Sequence, residues 1–177
     1  LTLTLPATTS SPPKETQMLL SAVTEATQGY PKLPYAAKEF NEIRSLFGRS
    51  KRLLNDQGDE NNGMAAFKTL NFKDALKNSS YDVIHIISHA EFTKYSKDIA
   101  IVTYDGKLLL DELSDLLKIT QREKPLELLT LSACSTAAGE ETQWAALGLS
   151  GVAIKIGARS SLATLWQAYD LTTYILV

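Results

Sequence analysis

YDVIHIIS (residues 81–88) and LELLTLS (residues 126–132) decide the fold. Both are short apolar runs, and the first is dense in β-branched residues, as expected of strands covered on both faces. Working outward, Met18–Val23, Arg52–Leu54 and Ser160–Trp166 (SSLATLW) also read as strands. Helical spacing lies between them. Tyr35–Phe47 follows Pro34 and carries apolar residues at Phe40, Ile43, Leu46 and Phe47, with Gly48 to stop it. Phe72–Leu76 predicts a short helix, and Asp111–Leu117 another with Asp111 near its start. Gln143–Ile156 predicts a fourth, with small residues such as Ala145, Gly148 and Gly151 that allow close packing on a sheet, and Gly157 ends it. Asp105-Gly106, between Ile99–Thr103 and Lys107–Leu109, is a strong hairpin signal. A last helix is expected to start near Asp170. Strands alternating with helices predict an α/β fold with a mostly parallel sheet and helices on both faces.

The chain's 177 residues suit one domain with a full core. Residues 1–17 read as an N-terminal arm or linker, with Pro6–Lys14 its loosest part, and residues 18–177 as the domain. Asn55–Gly63 reads as a loop. The first residue is Leu1 and Leu171–Val177 reads as a helix cut mid-pattern, so a piece of a longer chain is expected. With 18 basic against 20 acidic residues, no basic field recommends a nucleic-acid partner. No apolar run approaches the roughly 20 residues of a membrane span. A single cysteine excludes an intrachain disulfide and fits a reducing, cytoplasmic setting.

Ligands of such sheets bind beyond the carboxyl ends of the strands. His89 follows YDVIHIIS, and Cys134 follows LELLTLSA. An imidazole beside a thiol can take its proton and leave a thiolate nucleophile. The backbone N–H groups of Ala90 and Cys134 are the natural donors to an oxyanion. Against this stands the ordinary reading of a lone cysteine, a buried inert thiol. Ser135 to Gly139 are small or polar, which suits a loop beside a cleft. Two histidines spaced as His85 and His89 suggest a metal pair only on a helix. On a strand they lie about 13 Å apart, so no metal or other cofactor is expected, and His85 reads as a hydrogen-bonded core residue. No phosphate-binding glycine loop and no GxSxG elbow occur. Trp144 reads as core or cleft lining.

Ordered blocks of the chain resemble the CHAT domain, a caspase- and separase-related peptidase domain common in bacteria and often fused to tetratricopeptide repeats. They are LPYAAKEFNEIRSLF (33–47), YDVIHIISHAEF (81–92), DGKLLLDEL (105–113), LELLTLSACSTAAGE (126–140) and ALGLSGVAIKIGARSSLATLWQAYD (146–170). The resemblance covers roughly residues 18 to 177. It implies a three-layer αβα caspase-like fold with a hairpin insertion, and a cysteine endopeptidase acting on protein substrates, with a tetratricopeptide-type domain as a partner. The family's Ser-His-Gly maps onto Ser88-His89-Ala90, and its Leu-Ser-Ala-Cys onto Leu131-Ser132-Ala133-Cys134. His89 is then general base and acid, Cys134 the nucleophile, and no third residue is named. Ala90 replaces the family's Gly; if the backbone there needs φ > 0, strain of about 1 kcal/mol is expected. The substrate pocket of caspase-like folds maps onto Ser132 and Thr164–Gln167, including Trp166. Asp170 occupies the family's acidic position, either as a wall favouring a basic substrate residue or as a helix cap. Arg159 falls in the matching GARS segment (157–160). The alternatives are a caspase-fold scaffold without useful activity and a small-molecule thiol hydrolase, which needs a deep closed pocket.

Overall fold

A computed structural model describes residues 16–47, 50–56, 63–91, 99–120, 124–135, 151, 153 and 157–163. The elements run β1 (Met18–Ala22), α1 (Ala36–Leu46), β2 (Ser50–Leu54), β3 (Met64–Ala65), α2 (Thr69–Asn78), β4 (Val83–Glu91), β5 (Ala100–Val102), β6 (Lys107–Leu109), α3 (Leu110–Thr120), β7 (Leu128–Ser135) and β8 (Ser160–Ala163). All eight strands form one sheet. β1 pairs in parallel with β2, and β2 with β3. On its other edge β1 pairs in parallel with β4, β4 with β7, and β7 with β8. The chain therefore starts inside the sheet, builds outward to β3, then crosses back to β4, β7 and β8. Its order reverses between β1 and β4, the switch point where such sheets open a crevice. β5 and β6 form the antiparallel hairpin announced by Asp105-Gly106. β5 takes over the edge of β4 at Ala90 and Glu91, beyond Ile87 where β1 stops pairing. The fold is thus α/β, a mostly parallel sheet with helices on both faces, consistent with a caspase-like three-layer arrangement.

Alternation along the strands sorts the core into two layers. Leu19, Ile84, Ile86, Leu129 and Leu131 face α2 and α3, where they meet Phe72, Leu76, Leu113 and Leu117. Met18, Leu20, Ala22 and Ile87 face α1 and meet Ala36 and Phe40. Phe40, 1% exposed, anchors α1 on the sheet; truncating such a side chain costs about 3–5 kcal/mol. α1 falls one residue short of its predicted helix at each end, and α2 covers its predicted helix but begins earlier, at Thr69. Its N-terminus is capped from a distance, because the Asp105 carboxylate accepts the Thr69 N–H at 2.8 Å. Gly157, at φ 70°, follows a helical segment that includes Gly151 and Ala153, and the Ala158 N–H is bonded back to the Ala153 carbonyl at 2.9 Å.

Several expectations need revision. β4 and β7 run past their predicted ends at Ser88 and Ser132, so His89 and Cys134 lie within strands rather than after them. β5 and β7 supply the pairing partners that prolong β4. β3 was not anticipated; two residues carry no periodicity. Leu46, assigned to the apolar face of α1, is exposed, whereas Glu39 is buried. The arm over residues 1–15, the segment Thr136–Gly139, Trp144, Trp166, Asp170 and the last helix lie outside the described residues, as does the predicted helix 143–156 apart from Gly151 and Ala153.

Candidate active site

The face of β4 toward α1 carries a buried polar row. His85 is the hydrogen-bonded core histidine anticipated above: its Nε2 lies 2.9 Å from Glu39 Oε1 on α1. The second Glu39 oxygen accepts the Ser132 hydroxyl of β7 at 3.0 Å. One buried carboxylate thus joins α1, β4 and β7. Ser132, expected at a pocket, is 3% exposed, and its hydroxyl is directed to Glu39.

Farther along the strands, the β4–β7 ladder pairs Ile87 with Ser132, His89 with Cys134 and Ala90 with Ser135. Neighbouring strands run about 4.8 Å apart, so backbone positions 89 and 134 are side by side near the carboxyl end of the sheet. His89 is 2% exposed. Its Nε2–H donates to the Pro31 carbonyl oxygen at 2.9 Å. A carbonyl only accepts, so Nε2 bears the hydrogen, and Nδ1 is the basic nitrogen of the neutral ring. Tyr30 stacks on the same imidazole, with ring centroids 5.0 Å apart and planes 26° apart.

Both groups come from one turn after β1. Thr27 and Tyr30 exchange backbone hydrogen bonds of 3.2 and 2.8 Å. Between them Gln28 and Gly29 sit at φ 50° and 83°, as a two-residue turn of this hand requires. The turn therefore brings Pro31 across the switch point to a histidine far along the chain. No sequence signal marks a backbone carbonyl as a ring's partner; the glycine in Gln28-Gly29 was the one local hint of a turn.

The Tyr30 hydroxyl also bonds Glu91, whose carboxylate pairs with Lys107 Nζ at 2.7 Å. Lys107 first, and Tyr30 second, hold the Glu91 carboxyl below its ordinary range. Desolvation, reinforced by Glu91, raises the Tyr30 phenol above its own. Ala90 is fully buried on the opposite face of the sheet, in the last register pair with β7. It is not among the residues with positive φ, so the strain considered for a non-glycine residue does not arise. Arg159 pairs with Glu127 at 3.3 Å on the surface. Among the described residues no three His, Cys, Asp or Glu side chains gather as a metal site, and no helix is long and apolar enough to cross a membrane.

The family model of the CHAT domain matches residues 2–177. No curated protein matches the chain.

Proposed function

The chain belongs to the CHAT domain family, and from that premise we propose that it is a cysteine endopeptidase domain with His89 and Cys134 as its dyad. The observation that carries the reading is the register of His89 with Cys134, joined to the bond from His89 Nε2–H to Pro31. Register partners on parallel strands occupy one face of the pleat, and the ring's basic nitrogen is the one not engaged by Pro31. In this mechanism Nδ1 takes the thiol proton and the thiolate attacks the substrate carbonyl carbon. The Ala90 and Cys134 N–H groups receive the oxyanion. The imidazolium returns its proton to the departing amine nitrogen as the carbon–nitrogen bond breaks, leaving a thioester. Water, deprotonated by the same ring, then attacks the thioester and releases the acid and the free thiol. Trp166 and Asp170 are assigned to the substrate pocket, whereas Ser132, buried and bonded to Glu39, is placed behind it as a core residue. A tetratricopeptide-type domain is the proposed regulatory partner, and the cytoplasm the proposed setting.

The burial of His89 favours a second reading, a caspase-fold interaction domain that does not cleave. Labelling by an electrophilic peptide probe separates the two. The peptidase reading expects labelling of wild type, none of Cys134→Ala, and a loss of at least tenfold in rate for His89→Ala. Equal rates for wild type and His89→Ala would reduce Cys134 to an accessible thiol.

A further inference from the structure

The peptidase reading names a base and a nucleophile but leaves open what aims the base. His89 is held at two points by consecutive residues: Pro31 accepts from the ring's edge and Tyr30 covers its face. One hydrogen bond leaves an imidazole free to rock about that bond, whereas a stacked ring removes the rocking. Tyr30 is itself fixed at both ends. Its backbone closes the turn with Thr27, and its hydroxyl bonds Glu91, two residues beyond His89 on β4.

The chain of contacts continues into the hairpin. Lys107 of β6 grips both Glu91 oxygens, at 2.7 and 2.9 Å. Gln28 Nε2 donates to the Thr103 and Gly106 carbonyls at 2.8 and 3.1 Å, and the Thr27 hydroxyl to the Tyr104 carbonyl at 2.7 Å. The turn that carries Tyr30 and Pro31 is therefore docked on the loop of the β5–β6 hairpin by the side chains of Thr27 and Gln28.

We propose that Tyr30 is a positioning residue for His89, and that the β5–β6 hairpin sets the imidazole's orientation through it. This rests on the peptidase reading only for its consequence in catalysis; the placement of the ring is a separate matter. The titratable groups described on this side of the sheet include Tyr30, stacked on the ring, Glu91 and Lys107, linked to it through the Tyr30 hydroxyl, and the Glu39–His85 pair farther back along β4. An aromatic face within about 6 Å favours a cation over it, so Tyr30 also stabilises the imidazolium. Glu91 and Lys107 carry opposite charges that offset one another, so of these groups the phenol ring is the one that favours the imidazolium; the other titratable residue at this position is Cys134, the register partner of His89.

The chain has two histidines, which makes the test direct. Nitrogen-15 histidine spectra are recorded against pH for wild type, Tyr30→Phe and Tyr30→Leu, with His89→Gln used to assign the signals. Tyr30→Leu is expected to lower the His89 midpoint by about half a pH unit and to mix its tautomers. Tyr30→Phe keeps the stack and is expected to stay close to wild type in both respects. In the peptide-probe assay the Leu variant should lose about tenfold in rate by ring misplacement, and Phe less than about twofold. An unchanged His89 midpoint and tautomer in Tyr30→Leu would overturn the proposal, as would a Phe variant that shifts as far as Leu. If the wild-type probe rate ignores His89→Ala, the peptidase reading alone fails, and the spectra still decide the role of Tyr30.

Discussion

Glu39 is the residue whose loss the structure makes most costly relative to its appearance in the sequence. It is 3% exposed, and its two oxygens serve His85 and Ser132. In Glu39→Ala both partners stay buried without their acceptor, at about 1–3 kcal/mol each. The sum agrees with the 3–5 kcal/mol or so typical of breaking a buried pair from one side. With a urea slope of about 2 kcal/mol per molar, the unfolding midpoint falls by roughly 1.5–2.5 M. Glu39→Gln keeps one carbonyl acceptor and should fall by less than half as much. The informative control removes all three partners: Glu39→Met with His85→Leu and Ser132→Ala leaves no orphaned group and should recover most of the loss. Equilibrium urea unfolding followed by fluorescence measures each midpoint, with equal slopes required before the midpoints are compared. A Glu39→Ala midpoint within about 0.5 M of wild type, or a triple variant no better than the single one, would refute the bridging role.

Three further outcomes are expected. Ala90→Gly should destabilise by about 0.5–1 kcal/mol, because Ala90 is a strand residue without positive φ whose methyl fills the core; a gain in unfolding midpoint would mean the position is strained after all. Gly29→Ala should cost about 1 kcal/mol through its φ of 83° alone, since an added Cβ meets nothing within 4 Å, and calorimetry should show a fall of about 2–4 °C. The Glu91 carboxyl is held below its ordinary range by Lys107 and then Tyr30, so its contribution is present above the unfolded value and fades as pH falls through the lowered folded one. The stability difference between wild type and Lys107→Met should therefore shrink toward zero on acidification below pH ~4.5, and remain small throughout for so exposed a pair. A difference that grows with acid would reverse the sign.

The parts of this fold that are legible in the sequence are those with a local cause. Val83, Ile84, Ile86 and Ile87 announce a doubly covered strand, Asp105-Gly106 the hairpin, and Gly157 a helix end. What stayed hidden depends on distant partners. β4 reaches Glu91 because β5 and β7 pair with it there, and nothing in the local sequence His89-Ala90-Glu91 says so. Glu39 resembles any charged residue of an amphipathic helix until His85 and Ser132 are seen beside it. His89 was legible as a candidate, but its partner is a carbonyl 58 positions away, and main-chain groups leave no mark on the choice of residue. Tyr30 was missed for a related reason: only the turn at Gln28-Gly29 brings its ring over the imidazole.

The most direct test of the dyad is the ionisation of the Cys134 thiol, measured as the alkylation rate by iodoacetamide against pH. Cys134 is the chain's one cysteine, so the rate has a single source. If His89 takes its proton, the wild-type midpoint lies at least a unit below the free-thiol value of about 8.5, and His89→Gln returns it to that value or above. The same midpoint in both proteins would contradict the pairing of His89 with Cys134.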